Sequence, residues 1–278
     1  MAGIVWLASY PKSGNTWLRA FLHNFLRDPE RSHDINKLTD LTAGESMTHL
    51  YRAQDPALDR HLTDERVREL RPLVHRTISE GSPDTVLVKT HNALVEDGGY
   101  PLISLDLTAG AIYIVRNPLD VVISFSHHNR TTIDQMIEFM NTKSAATKSN
   151  EMNVYELYDT WSGHVASWTA TPSATLHVMR YEDMLANPQR SFAAVVKFLG
   201  IAAPRHRIER AVRLSSFQVL KEQERRQGFR ERPARVEAFF REGKAGQWKK
   251  VLTKEQVAAV VAAHREQMER FGYVPEGM

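Results

Sequence analysis

Ser9-Tyr10-Pro11-Lys12-Ser13-Gly14-Asn15-Thr16-Trp17 follows the apolar run Ile4-Val5-Trp6-Leu7-Ala8. The order reads as a strand, a turn and a helix start, because Leu18, Phe21, Leu22, Phe25 and Leu26 then recur at helical spacing. A turn that opens a helix aims free backbone N–H groups and the positive end of the helix dipole at one point, which makes an anion site. Lys12 adds a mobile cation, Ser13 and Thr16 add hydroxyl donors, and Gly14 lets the backbone approach a phosphate closely. The implied chemistry is the gripping of a phosphorylated ligand; an ordinary helix cap with an incidental lysine is the plainer alternative. The nucleoside-triphosphate loop fits poorly, since it needs four residues between two glycines and then Lys-Ser/Thr, whereas Lys12 precedes the only glycine here.

Two more strand ends carry candidate groups. Ala111-Ile112-Tyr113-Ile114-Val115 is an unbroken β-prone run, as expected of a strand buried on both faces, and it ends at Arg116-Asn117-Pro118-Leu119-Asp120. Pro118 suits the first turn of a helix, and Ser124 lies about two helical turns past Arg116. Asp120 reads as a helix-start residue. Thr85-Val86-Leu87-Val88-Lys89-Thr90-His91 is a third strand, ending in a cation, a hydroxyl and an imidazole. Histidine is the side chain best suited to take a proton near neutral pH, although a histidine drawn from the 12 in this chain is more often structural.

Taken together, these segments resemble the cytosolic, small-molecule type of sulfotransferase, which uses 3'-phosphoadenosine 5'-phosphosulfate (PAPS) as donor. The resemblance implies that Lys12, Ser13, Gly14, Asn15, Thr16 and Trp17 form the 5'-phosphosulfate loop, and that Arg116 and Ser124 bind the 3'-phosphate. It makes His91 the catalytic base and Lys89 a donor to the transferring group. Three later segments extend it. Tyr181-Glu182-Asp183-Met184 is similar to the family's Tyr-Glu-Asp-Met, in which the tyrosine contacts adenine. Ser215-Ser216-Phe217-Gln218-Val219-Leu220 is similar to a nucleotide-lining segment, with Phe217 and Trp17 expected to sandwich the base; a helix burying Phe217 and Leu220 is the alternative. Arg241-Glu242-Gly243-Lys244-Ala245-Gly246-Gln247-Trp248-Lys249 resembles Arg-Lys-Gly-x-x-Gly-Asp-Trp-Lys, whose first three residues clamp the 3'-phosphate, but Glu242 replaces Lys and Gln247 replaces Asp. A carboxylate beside a phosphate is unfavourable, so Glu242 is expected to point away.

The chain has 278 residues and no linker-like stretch, which predicts a single domain over 1–278. Its net charge of +3 suits a polyanionic nucleotide and does not call for nucleic acid, and the absence of cysteine excludes disulfides and thiolate chemistry. No apolar run approaches the length of a membrane span, so a cytoplasmic protein is expected. Periodicity predicts strands at 4–8, 85–89, 111–115 and 175–180, and helices at 15–27, 63–79, 118–128, 154–170 and 189–199. A Gly/Pro loop is expected at 98–101, a polar mobile stretch at 129–153, and a helical C-terminal third broken near 228–233 and 243–246. The fold class is therefore α/β, a P-loop-like central parallel sheet with helices on both faces and ligands at the strand C-terminal ends. The acceptor, a small molecule with a hydroxyl, falls to 28–60, 127–153 and 223–235, where Tyr51, Phe139, Met140 and Phe229 supply apolar surface. No metal is implied, and the oligomeric state stays open because a family dimer motif is half present, with Lys254 and Ala258 in place of Val and Glu. Two other readings remain: a P-loop phosphotransferase, and a relative that binds the nucleotide without catalysis.

Overall fold

A computed structural model describes residues 3–55 and 62–278. The strands are β1 (Ile4–Ser9), β2 (Thr42–Gly44), β3 (Val86–Thr90), β4 (Glu96–Asp97), β5 (Tyr100–Pro101), β6 (Thr108–Val115) and β7 (Leu176–Arg180). The helices are α1 (Asn15–Arg27), α2 (Thr48–Gln54), α3 (Asp64–Glu80), α4 (Pro118–Asn129), α5 (Ile133–Asn141), α6 (Trp161–Thr169), α7 (Tyr181–Ala186), α8 (Pro188–Phe198), α9 (Arg205–Leu214), α10 (Phe217–Gln227), α11 (Trp248–Val251) and α12 (Lys254–Arg270).

Five strands form one sheet in the order β2-β3-β1-β6-β7, and every pairing in it is parallel. Successive residues of a strand face opposite sides, so an apolar run must be covered twice. Ile4, Trp6 and Ala8 join Val88, Tyr113 and Val115 under α4, α5, α6 and α12. Val5 and Leu7 join Leu87, Ile112, Ile114 and Met179 under α1, α8 and α9. The expected parallel sheet with helices on both faces is thus observed. The chain leaves β1 to build β3 on one side and β6 on the other, and this reversal opens a crevice at the carboxyl ends of β1, β3 and β6.

Several boundaries differ from the periodic reading. The helix expected over 154–170 starts at Trp161, where Thr160 caps it by accepting from the Gly163 N–H. Residues 154–158 are instead held by cross-loop bonds, from Val154 N–H to Ser46 O (2.8 Å), Ala93 N–H to Leu157 O (2.8 Å) and Tyr158 N–H to Ala145 O (2.7 Å). The stretch 129–153 contains α5, fixed by a Thr132/Gln135 capping box and by burial of Met136, Ile137 and Met140. The Gly/Pro loop at 98–101 closes the β4–β5 hairpin. Within the polar region 28–60, β2 and α2 form without any apolar run to announce them, and the part of it at 56–60 lies outside the described residues.

The α1/α8 contact is the tightest aromatic packing under the crevice. Phe192 is fully buried, stacks on Phe21 at 4.2 Å and meets Trp17 edge-on at 5.5 Å. Phe192→Ala should destabilise the protein by about 3–5 kcal/mol, measured by denaturant unfolding, because the rings of α1 cannot collapse into the cavity.

Candidate functional site

Between β1 and α1 the backbone turns through two left-handed residues, Lys12 (φ 66°) and Gly14 (φ 107°). Gly14 is required twice over: by its dihedral, and because a Cβ there would stand 2.7 Å from Cδ2 of Tyr181. No side chain caps α1, and its first inward bonds run from the Trp17 and Leu18 N–H groups to Gly14 O. Among the described residues, the N–H groups of Asn15 and Thr16 therefore have no acceptor. The Ser13 hydroxyl is fully buried and also lacks a partner. Asn15 turns the other way, its Nδ2 donating to Leu7 O (2.8 Å), and so ties α1 to β1. An uncapped helix start with an orphaned buried hydroxyl fits an anionic ligand.

Three cations gather above this turn. Arg116, buried at the end of β6, donates from one terminal nitrogen to Lys12 O (2.8 Å) and lies 4.2 Å over the Tyr181 ring. Its Nε is buried without a partner. Burial, then Arg116 and Arg241, pull the Lys12 ammonium down to about 7, against the opposing pull of Glu224 and Glu231. Burial likewise lowers Arg241, with Arg116 adding to the effect and Glu242 opposing it. Among the described residues none of the three is in an ion pair. The nearby carboxylates are engaged elsewhere: Glu224 accepts from the Phe239 (2.7 Å) and Phe240 (2.9 Å) N–H groups, and Glu231 pairs with Arg19 (2.8 Å). Clustered like charges are unfavourable alone, and an arriving polyanion relieves them.

His91 stands at the end of β3. Its Nδ1 lies 2.7 Å from Ser9 O; a carbonyl only accepts, so the proton sits on Nδ1 and Nε2 keeps its lone pair. Burial, reinforced by Lys89, holds its pKa well below the ordinary histidine value although the Ser9 bond opposes this. The backbone of His91 is held in turn. His164 Nε2–H donates to its carbonyl (3.0 Å), and Tyr113 OH donates to His164 Nδ1 (2.8 Å). Lys89 is half-buried, and its charge also lowers His128. The Lys12 ammonium donates to His128 Nδ1 (3.2 Å) and sits 3.9 Å from the centre of the Phe239 ring.

The remaining candidates are less uniform. Tyr181 is buried against Gly14, Arg116 and Trp17. Thr16, Trp17 and Ser124 are half-buried. Phe217 is half-buried beneath Gly243 (φ 60°), whose added Cβ would stand 2.4 Å from the ring. Ser215 is fully buried and spends its hydroxyl proton on Ala211 O (2.8 Å). Leu220 is packed in the cluster of Ile35, Leu38, Phe229 and Phe240. Glu242 is exposed, with Lys244 Nζ 4.0 Å away. Of the suggested acceptor residues, Tyr51, Met140 and Phe229 are core, whereas Phe139 is half-buried and packs on Tyr158, which faces His91 edge-on.

Two residues at the site went unread in the sequence, and one was read too narrowly. Asp120 accepts from the N–H groups of Gly246 (2.6 Å) and Trp248 (3.1 Å) and thus pins the 241–248 segment beside Arg116; its recurrence in the Arg-Asn-Pro-x-Asp motif was the available signal. His128 and His164 sit in helices where nothing but the fold brings them to Lys12 and His91.

A family model described as sulfotransferase domain matches residues 3–272. Among curated relatives, sulfotransferase 1A1 of the dog (Canis lupus familiaris) is 25% identical over 276 residues, covering 96% of this chain and 83% of that protein. Flavonol 3-sulfotransferase of Flaveria bidentis is 26% identical, covering 92% and 78%. Mouse sulfotransferase SULT7A1, solved in complex with PAP, shares the fold at a TM-score of 0.66 and 20% identity, covering 98% of this chain and 90% of that one. Retinol dehydratase in complex with androsterone and inactive cofactor PAP does so at 0.65 and 21%, covering 96% and 80%. Among the described residues no helix is long and apolar enough to cross a membrane. The motifs, the parallel sheet and the family match agree: this chain belongs to the sulfotransferase domain family and is an enzyme of it.

Proposed function

We propose that this enzyme, acting as one domain over 1–278, transfers the sulfuryl group of PAPS to a hydroxyl of a small-molecule acceptor. The observation that carries the reading is the group of unpaired cations, Lys12, Arg116 and Arg241, beside an uncapped helix start, with a neutral imidazole across the crevice. Arg116, Ser124, Arg241 and the backbone at Gly243 anchor the 3'-phosphate, and the turn from Ser13 to Thr16 holds the 5' end. Trp17, Tyr181 and Phe217 supply the aromatic surface for adenine. Anchoring a remote phosphate fixes the geometry of attack.

In the transfer, His91 Nε2 takes the acceptor hydroxyl proton as the new O–S bond forms. The S–O bond to the 5'-phosphate breaks, and adenosine 3',5'-bisphosphate leaves with the electron pair. Lys12 neutralises charge on the departing oxygen and Lys89 steadies the sulfuryl oxygens. These cations and backbone dipoles supply the positive field, so the proposal calls on no metal ion. The half-buried rings of Phe139 and Phe239, with Tyr158, favour a flat apolar alcohol or phenol as acceptor. Relatives named as cytosolic sulfotransferases support a cytoplasmic location, which fractionation of the source cells tests.

Calorimetric titration is the direct test of the donor. Adenosine 3',5'-bisphosphate should bind tightly, 5'-AMP should bind at least about 100-fold more weakly, and Arg116→Ala should erase the difference. Mg²⁺-dependent preference for ATP would instead move the protein to phosphoryl transfer. His91→Ala should keep bisphosphate affinity but lower kcat by about 10²–10⁴-fold; retention of turnover would remove His91 as the base. Lys12 is pulled down to about 7 without a ligand and is raised by a bound anion, so at pH 8, where both phosphates are already ionised, binding should take up about one proton. Calorimetry in buffers of different ionisation enthalpy measures this uptake, which Lys12→Met should abolish.

A further inference from the structure

One buried charge pair lies behind His91 and takes no part in the chemistry above. Glu45, just past β2, and Arg71, in α3, are both fully buried and 2.7 Å apart. Burial alone would push the Glu45 carboxyl up; the Arg71 guanidinium, with His75 and Thr90, overcomes this and holds it at about 2. Such a pair is weak evidence for stability, because well-packed apolar side chains serve as well. Its other bonds are more specific. One carboxylate oxygen accepts from Thr90 Oγ1 (3.1 Å) and from Asn92 Nδ2 (2.5 Å), the residues on either side of His91. The other accepts from Arg71 and from Tyr51 OH (3.3 Å). The Glu45 N–H closes the bracket by donating to Lys89 O (3.2 Å). All of this falls where β3 ends and His91 loses the support of the sheet.

We propose that Glu45 is a positioning residue for the transfer: by holding Thr90 and Asn92 it fixes the backbone of His91 so that Nδ1–H stays on Ser9 O and Nε2 faces the acceptor. The inference rests on His91 as the base. Asn92 passes the constraint on, since its Oδ1 accepts from Leu157 N–H (2.7 Å) in the segment that carries Tyr158. One carboxylate thereby sets both the base and the ring beside it.

The test separates positioning from folding by removing both charges together. In Glu45→Met/Arg71→Met no buried charge is stranded, but Thr90 and Asn92 lose their acceptor. In Glu45→Gln/Arg71→Met the glutamine oxygen still accepts from both. With the bisphosphate bound, both variants should melt near the wild type and keep its affinity. Turnover with PAPS and 2-naphthol as probe acceptor should fall about 10- to 100-fold in the first and stay within about threefold in the second. Histidine ¹⁵N spectra should show His91, identified by the signal lost in His91→Ala, as the Nδ1–H tautomer in wild type and glutamine variant and as a mixture in the methionine variant. A folded methionine variant with wild-type kcat and an unmixed tautomer would overturn the proposal. If neither double variant folds, Thr90→Val, which deletes the hydroxyl that donates to Glu45 and accepts from the Asn92 N–H, should give the same tautomer mixing, and its absence would overturn the proposal. If His91→Ala turns over normally, the base assignment fails and the positioning role falls with it; an inactive His91→Ala beside a fully active methionine variant sinks the positioning role alone.

Discussion

The crevice is organised by one electrostatic constraint: three cations are held together on the apolar top of a sheet and, among the described residues, no carboxylate pairs with them. The two arginines lower the pKa of Lys12, and Arg116 lowers that of Arg241, so the arrangement is unfavourable in itself and the backbone must fix it. The fold does this with carbonyls and caps. Arg116 is anchored on the Lys12 carbonyl and on the Tyr181 ring, and the 241–248 segment is tied down by both oxygens of Asp120. Glu182 accepts from the Asn117 N–H (3.0 Å) and from Tyr273 OH (2.7 Å), which locks the turn after β6 to β7 and the C-terminal end. The carboxylates of this region are thus taken up by backbone amides, a hydroxyl and, for Glu231, the Arg19 guanidinium, rather than by Lys12, Arg116 or Arg241.

The same positive field has a second consequence for the histidines. Lys89 lowers His91, and Lys12 with Lys89 lowers His128, each adding to the larger effect of burial. A negative charge nearby would raise the pKa of an imidazole, and these cations act in the opposite direction. The cations around the turn therefore also help to keep the neighbouring imidazoles neutral. The tautomer is set separately, by the short bond from His91 to the Ser9 carbonyl at the end of β1. His91 and the turn that opens α1 are consequently built on adjacent strands whose register is fixed by β1–β3 pairing.

What could be read from the sequence was what local chemistry dictates. Buried parallel strands announce themselves as unbroken apolar runs, and the ends of three such runs carried Lys12, Lys89 with His91, and Arg116. The order of the elements followed because parallel strands need crossover helices. What could not be read depends on contacts distant in sequence. β2 is Thr-Ala-Gly, with no hydrophobic signal, and exists because β3 offers it a free edge. Residues 154–158 look helical by periodicity yet are drawn out by bonds to Ser46, Ala93 and Ala145. Ser215 and Leu220 are matched by motif alone; locally, one is a hydroxyl satisfied by its own helix and the other a core side chain.

Glu242 shows how a departure from a motif can be tolerated physically. In the segment 241–248 the bonds that face Arg116 and Asp120 come from the backbone: the Lys244 carbonyl accepts from Arg116 (3.4 Å), and the Gly246 and Trp248 amides donate to Asp120. Gly243, left-handed and lying directly on Phe217, sets the direction of the chain there. The exposed side chain at 242 then projects into solvent, 4.0 Å from Lys244 Nζ. The charge at 242 therefore acts on Arg241 through space, raising its pKa, while the backbone bonds of the segment set the local geometry that presents Arg241.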